Sequence, residues 1–281
     1  KNVKINLQGY TLTRTAPIVV NKGITLSFEQ GTGKITASGG NTITNNGTLK
    51  INTNIEVENT SNSTSYYTIN NIGTLQITNG TVIATNKVAV NNTGTLTLGT
   101  SGGVPSSDSP VVQGLTYGIK NSGTFNFYDG IVKGVTDAIS GTVTKTEEKY
   151  CIVYGTENIG SNVYKTATLG ISAPIISAKL LDGTTYNSGD WSNQNIVVTL
   201  SCESPGEGIT QYYWKVEEGG TWQTKEINMA TSTITFTVNR DNTIYFKAKN
   251  NNFESGTSSI IIRKEDVVPT ITVSPELTDK V

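Results

Sequence analysis

Hydrophobic positions in the first half of the chain recur in short blocks separated by polar residues and glycine. Five blocks share the order Asn, any residue, Gly, Thr, then Leu or Phe, with a second apolar residue two positions later; the first block carries one extra residue. The blocks span residues 21–28, 45–51, 71–77, 92–98 and 121–127. Because side chains alternate across a β-strand, the paired apolar positions predict one buried strand face in every block.

The spacing of these blocks predicts a solenoid. The Leu or Phe position recurs after 23, 26, 21 and 29 residues, and such a period with variable length is typical of stacked coils whose turns differ. A further aliphatic row, four residues before each Gly, is expected inside: Val19, Ile43, Ile69, Val90 and Ile119. A leucine-rich repeat is the main structural alternative, but it needs denser leucines and often a helical side, and no stretch shows a 3.6-residue period. We therefore predict a parallel β-helix.

The asparagine of each block is expected at a tight corner of the coil. Asn tolerates left-handed backbone angles, and stacked amides can bond to the coils above and below. The glycine that follows is expected to relax the same corner. The column consists of Asn21, Asn45, Asn71, Asn92 and Asn121.

The pattern changes after Thr146. Two short β-like runs, 150–154 and 162–167, predict a hairpin that covers the end of the solenoid. From residue 173 onward, alternating strands separated by turn residues every roughly 8–12 positions predict a β-sandwich. The predicted domains are a β-helix at 1–146, a hairpin cap or linker at 147–172, a sandwich at 173–266 and the start of a further repeat at 267–281.

Two resemblances to known protein families make this all-β prediction more specific. Segments 6–12, 69–77 and 117–125 resemble the right-handed parallel β-helix regions of large surface proteins from Gram-positive bacteria. Segments 191–201, 208–214 and 220–222 resemble bacterial Ig-like modules, although three asparagines at 250–252 replace the usual Gly-Asn turn. Residues 266–273 resemble the linker and first strand of another such module.

These resemblances imply a segment of a secreted protein located at the cell surface or cell wall, with further Ig-like repeats of the same chain as neighbours. The start at Lys1, with neither an initiator Met nor a signal peptide, fits an excised segment. An antibody-type disulfide is not available, because Cys202 lies on the second predicted strand and no cysteine lies near Phe246.

The amino-acid composition argues against several classes of function. The net charge is -1 with 15% charged residues, so no basic stripe indicates a nucleic-acid partner. Apolar runs are too short for membrane insertion. Histidine is absent, which removes the commonest general base and metal ligand. Cys151 and Cys202 are interpreted as small core residues. No cofactor or metal is expected.

A polysaccharide lyase or glycoside hydrolase is the enzymatic alternative, because β-helices host both. Hydrolysis needs two carboxylates about 5–9.5 Å apart, hence in one column of neighbouring coils. Asp129 shares its column with residues that do not ionise, and Glu56 and Glu58 are expected beside Thr36, Ala37, Ile83 and Ala84. Arg14 has no acid nearby, which leaves lyase chemistry without support. We therefore predict a non-enzymatic protein.

Two polar columns of the repeated strand are the predicted binding surface. Only one coil reads Thr-x-Thr, which disfavours ice binding, and a mixed polar ladder suits carbohydrate better. Three tryptophans at 191, 214 and 222 are a second option, although we expect Trp214 in the core and Trp222 beside a hairpin. A calcium site near Asp182, Asn187, Asp190 and Asn193 lacks regular ligand spacing, so a turn-rich loop is preferred. The candidate ligand-binding residues are Lys50, Gln76, Thr97, Asn126, Thr48, Thr74, Thr95 and Thr124.

The predicted function is therefore an adhesive or display β-helix held on an Ig-like stalk. Its expected partner is a polysaccharide or a host surface protein, bound by the ladder or by loops such as 101–113. A purely structural spacer is the other non-enzymatic possibility, and the sequence does not separate the two.

Overall fold

A computed structural model describes residues 1–106, 108–226, 231–236 and 241–264, and among these it contains twenty-nine strands and no helix. The chain divides into two compact units. Unit 1 comprises Lys1–Ser172, Ser204–Glu207 and Asn250–Glu254. Unit 2 comprises Ala173–Glu203, Gly208–Lys249 and the described residues from Ser255 onward.

Unit 1 is a parallel β-solenoid of about six turns, which confirms the predicted all-β solenoid. Each coil contributes three strands. In chain order the coils are formed by β1 (Asn2–Lys4), β2 (Thr11–Arg14), β3 (Ile18–Val20), β4 (Thr25–Phe28), β5 (Gly33–Ala37), β6 (Ile43–Asn45), β7 (Thr48–Ile51), β8 (Ile55–Asn59), β9 (Ile69–Asn71), β10 (Thr74–Ile77), β11 (Thr81–Ala84), β12 (Val88–Asn92), β13 (Thr95–Leu98), β14 (Val111–Gly114), β15 (Tyr117–Asn121), β16 (Thr124–Phe127), β17 (Ile131–Gly134) and β18 (Asp137–Ser140).

The three strands of each coil stack into three sheets. Sheet A follows the order β1-β4-β7-β10-β13-β16 and ends with β19 (Lys145–Thr146). Sheet B runs β2-β5-β8-β11-β14-β17, and sheet C runs β3-β6-β9-β12-β15-β18. Coil strands pair in parallel, and the predicted Leu/Phe column aligns through Leu26, Leu49, Leu75, Leu96 and Phe125.

Apolar rows fill the interior as the repeat predicts. Both rows of sheet A are buried, and the third row comes from sheet C through Ile43, Ile69, Val90 and Ile119. The first coil departs from the prediction by one residue, because Ile18 rather than Val19 aligns with Ile43. Val19 therefore faces outward and is 50% exposed. The corner between β3 and β4 has four residues, 21–24, whereas the equivalent corner between β6 and β7 has two, 46–47, so β3 pairs one residue away from the predicted register. A one-residue shift exchanges the faces of a strand.

A buried asparagine ladder runs through the solenoid, as predicted for four of the five positions. The side-chain amide of Asn45 donates to Asn71 at 2.7 Å, Asn71 donates to Asn92 at 2.7 Å, and Asn92 donates to Asn121 at 2.6 Å. The Asn121 amide ends the ladder by donating to the main-chain oxygen of Thr142 at 2.7 Å. Asn21 is not a member, because Val20 takes the position next to Asn45.

The predicted relaxed corner is found at Gly23, which has a φ of 78° and nothing within 4 Å of its Cβ position, but the other four glycines of the column have a different cause. Gly47, Gly73, Gly94 and Gly123 all have φ outside the left-handed region. A Cβ atom at Gly73 would lie 2.1 Å from the oxygen of Gly47, and one at Gly94 would lie 2.1 Å from the oxygen of Gly73. Glycine is needed here because the backbones of successive coils approach closely.

A long antiparallel hairpin follows the sixth coil. It consists of β20 (Cys151–Ile159) and β21 (Asn162–Gly170), and β21 extends sheet B by pairing antiparallel with β17. Tyr150 and Leu169 join the solenoid core. The two distant segments of unit 1 pack nearby: the ring of Phe253 meets that of Tyr150 edge-on at 5.7 Å, and the amide of Gly206 donates to the oxygen of Lys149 at 2.9 Å.

Unit 2 contains two sheets. The three-stranded sheet is β22 (Ile175–Leu180), β24 (Ile196–Ser201) and β27 (Thr231–Phe236), all antiparallel. The five-stranded sheet runs β23 (Trp191–Ser192), β29 (Ser258–Lys264), β28 (Asn242–Lys249), β25 (Gln211–Val216) and β26 (Gln223–Glu226), with only the β23–β29 pair parallel among these strands.

Alternating burial in unit 2 matches the predicted strand β28, where Ile244, Phe246 and Ala248 are buried. Tyr212 is the fully buried aromatic residue of β25, whereas Trp214, predicted to be core, is half-buried on the same side of the strand. The structure does not describe the side chains at 234, 236 and 238, for which alternation was also predicted, and the further repeat predicted at 267–281 lies outside the described residues.

Candidate functional site

The outward surface of sheet A carries all eight predicted ligand-binding residues. Pairing places the threonine column and the mixed polar column two residues apart on each of four strands, in register across the sheet. Leucine and phenylalanine occupy the alternate positions and point into the core. The surface, here called the sheet A ladder, consists of Thr48, Lys50, Thr74, Gln76, Thr95, Thr97, Thr124 and Asn126.

The ladder side chains are accessible to a ligand. Thr74 and Thr124 are exposed, and the other six are half-buried between neighbours on adjacent coils. In the part of the chain that the structure describes, none of the eight side chains makes a hydrogen bond to another protein group. Their donors and acceptors therefore face solvent in rows about 4.8 Å apart, the separation of neighbouring strands.

An ion pair bounds the ladder at its first coils. Lys4 and Glu29 lie 2.5 Å apart, and the hydrogen bond from Lys4 is the main cause that lowers the pKa of Glu29. Lys50 adds a weaker attraction to the same carboxylate. Ser27, which continues the mixed column, is buried here. The ladder proper begins at the coil of Thr48 and Lys50.

The carboxylates on sheet B are engaged in a shared ion pair. Lys34 Nζ lies 2.7 Å from Glu56 and 2.9 Å from Glu58, and both carboxylates raise the pKa of Lys34. The hydroxyl of Thr36 also donates to Glu58 at 3.2 Å. A general acid must hold a proton that it can transfer, whereas these two carboxylates balance one ammonium group. The arrangement suits surface stabilisation of the sheet.

The neighbours predicted for these two glutamates need correction. Glu56 pairs with Lys34 and Thr81, and Glu58 pairs with Thr36 and Ile83. Ala37 and Ala84 instead pair with Asn59. The outward positions of sheet B show no repeated residue type, so nothing in the sequence fixed their register to one residue.

Asp129 caps a turn. Its carboxylate accepts the amide of Gly130 at 2.7 Å and the amide of Ser106, while burial is the main cause that raises its pKa. Asn79, in the same column, accepts the amide of Gly80 at 2.6 Å. Both side chains therefore accept a backbone amide at equivalent corners of the coil. This role needs an oxygen acceptor, which an amide supplies as well as a carboxylate does.

The loop that was weighed as a calcium site, and predicted instead to be a turn-rich loop, is organised by its own hydrogen bonds. Asp190 accepts the backbone and side-chain amides of Asn187 at 3.1 and 3.0 Å, and Asp182 accepts the amide of Thr184 at 2.8 Å. That bond to Thr184 is the main cause that lowers the pKa of Asp182. Among the described residues, no group of three or more Asp, Glu, Cys or His side chains could hold a metal ion.

An open cleft in unit 1 was not predicted. It has a volume of about 520 Å³ and is lined by Asp137, Tyr154, Gly155, Thr156 and Lys165. Tyr154 is 63% exposed at its rim. The residues come from the last coil and from both strands of the hairpin, and the antiparallel pairings of β21 with β20 and with β17 bring them together. The sequence carries no local signal for this juxtaposition.

Comparison with known proteins leaves the solenoid geometry as the main guide to function. The described residues include no helix that is both long and apolar enough to cross a membrane. No protein-family model, no curated protein and no solved structure matches this chain.

Proposed function

We propose that this chain is a non-enzymatic segment of a bacterial surface protein, of the Gram-positive type that its repeats resemble. In this proposal a right-handed β-helix presents the sheet A ladder to a polysaccharide, and unit 2 is an Ig-like module of a stalk that holds the ladder away from the cell wall. The observation that carries the proposal is the accessible, in-register ladder of eight polar side chains with no hydrogen bond to the described protein.

The chemistry of the ladder fits sugar hydroxyls. Its hydroxyl, amide and ammonium groups can donate to oxygen, and its hydroxyl and amide groups can also accept. The ladder contains no aromatic ring, so recognition relies on hydrogen bonds and not on stacking. Each exposed contact is weak, but a polymer can engage several coils at once, which raises its apparent affinity without any single strong contact.

Affinity electrophoresis of the whole chain tests the proposal. The purified protein is run through native gels cast with individual neutral and charged polysaccharides, and each gel is then assayed for cleavage. We expect retardation without cleavage in at least one neutral polysaccharide gel. Cleavage would establish the alternative, a β-helix lyase or hydrolase, and no retardation in any gel would favour a spacer or a protein-binding adhesin.

A matched pair of variants locates the binding surface. Lys50→Ala with Gln76→Ala removes two side chains from the ladder. Lys120→Ala with Gln30→Ala removes the same two residue types from the outward surface of sheet C and from the exposed turn after β4. We expect the first double variant to lose most of its retardation and the second to migrate like the parent chain. Equal losses would place binding elsewhere.

A further inference from the structure

The outward surface of the five-stranded sheet in unit 2 alternates lysine with aromatic residues. Tyr213 on β25 lies opposite Lys247 on β28, and one pair further along Lys215 lies opposite Tyr245. In the first pair the lysine lies on β28, and in the second pair it lies on β25, so Lys247 and Lys215 are diagonal neighbours across the two strands. Lys249 continues the row on β28. All five side chains are half-buried on a surface whose reverse side packs Tyr212 and Phe246.

Cation–π contacts organise these side chains. Lys215 Nζ lies 5.3 Å from the ring centre of Trp222 and 5.2 Å from that of Tyr245. Lys247 Nζ lies 5.2 Å from the Trp222 ring, and Lys249 Nζ lies 6.0 Å from the Tyr213 ring. Each aromatic ring attracts a cation through its quadrupole but carries no net charge. The contacts hold the ammonium groups in place without neutralising them.

A second aromatic–cation pair lies on the same sheet, at its other edge. The guanidinium of Arg263 lies 5.5 Å from the ring of Trp191, which is 58% exposed. Within the described residues, no carboxylate forms an ion pair with Lys215, Lys249 or Arg263. In the solenoid, three lysines, Lys4, Lys34 and Lys133, do have a glutamate partner.

We propose that this surface, defined by Tyr213, Lys215, Trp222, Tyr245, Lys247 and Lys249 and here called the lysine–aromatic face, binds an anionic polysaccharide. The ammonium groups of Lys215 and Lys249 pair with its carboxylates or other acidic groups, and the aromatic rings contact the apolar faces of its sugars. Lysines at diagonal and same-strand positions are about 7 Å apart, so one extended chain can reach several of them. The chain's pI of about 5.7 argues against a nucleic-acid ligand, whose binding domains are usually strongly basic.

The inference is independent of the proposed function. The lysine–aromatic face lies in unit 2 and recognises charge, whereas the sheet A ladder lies in unit 1 and presents mainly neutral groups. Either surface can fail its test while the other passes.

The decisive probe is polygalacturonate compared with its methyl ester, because the two share a sugar backbone and differ in charge. We expect native gels of the whole 281-residue chain to show retardation by polygalacturonate, little retardation by the ester and loss of the effect at high salt. Equal retardation by both, no retardation by polygalacturonate, or tighter binding to single-stranded DNA at the same salt would overturn the proposal.

Charge variants assign the binding to this surface. Lys215→Gln with Lys249→Gln is expected to weaken polygalacturonate binding about tenfold, since each solvent-accessible ion pair contributes a factor of up to about five. Lys215→Arg with Lys249→Arg keeps the charge and should retain binding. The control, Lys22→Gln with Lys179→Gln, makes the same change in net charge at two exposed lysines elsewhere. If the control loses as much affinity as the test variant, the effect is overall charge and the proposal is wrong.

Discussion

At the residue scale, the buried asparagines show how a polar side chain can be part of a solenoid core. Asn71 is fully buried and its amide nitrogen donates to Asn92 at 2.7 Å and to the main-chain oxygen of Thr95 at 3.0 Å. It also accepts from Asn45. A buried polar group is tolerated when its hydrogen bonds are made and is costly when one is lost.

We expect Asn71→Ala to lower the free energy of unfolding by about 3 kcal/mol, because it leaves buried partners on both neighbouring coils unsatisfied. Urea denaturation of the whole chain measures the change. The control is Asn70→Ala, which removes the adjacent outward asparagine, an acceptor for Asn91 at 2.8 Å in a half-buried position. Its cost should stay below about 1 kcal/mol. Similar costs for the two variants would contradict a central role of the ladder.

At the element scale, the solenoid depends on how closely successive turns approach. The stacked glycines leave no room for a side chain, and the β-strands on either side keep their register through this contact. The sequence shows the glycine column but not its cause, because a glycine that needs a positive φ and a glycine that avoids a backbone clash look identical in one sequence.

Gly94→Ala is therefore expected to destabilise unit 1 by about 3 kcal/mol or more, since its Cβ would lie 2.1 Å from the oxygen of Gly73. Hydrogen–deuterium exchange should show faster exchange in the strands of the coils on both sides. Gly103→Ala is the control: it has ordinary φ and nothing within 4 Å of its Cβ position. Unchanged exchange in Gly94→Ala would disprove the close-approach argument.

Elements differ in how far a single sequence determines them. The inward rows of the solenoid were predictable because burial imposes the same residue type at the same position in every coil. The first coil was placed one residue out of register because its extra residue lies where nothing else fixes the register. Outward partners such as Lys34 and Glu56 were missed because solvent-facing positions carry no such repetition.

At the scale of the whole molecule, both proposed binding surfaces depend on pairings between strands that are distant in sequence. The sheet A ladder could be predicted because the repeat aligns its residues. The lysine–aromatic face could not be predicted. Its strands β25 and β28 are separated in sequence by residues 217–241, and no repeat in the sequence indicates the register in which they pair. The cleft beside the hairpin has the same origin.

The absence of an asparagine from the ladder position of the first coil also affects how the solenoid should respond to mechanical force. Val20 takes that position, so Asn45 Oδ1 is buried without a hydrogen-bond partner. Coil 1 is thus joined to coil 2 by strand pairing, apolar packing and the Lys4–Glu29 ion pair but by no ladder amide, while later coils are also joined by side-chain amides. Under tension applied at Lys1, we expect coil 1 to detach at a lower force than the coils behind it, and single-molecule pulling would record this as a small first step. A Val20→Asn variant, by supplying the missing donor, should raise the force of that step and make the solenoid yield more nearly as one body.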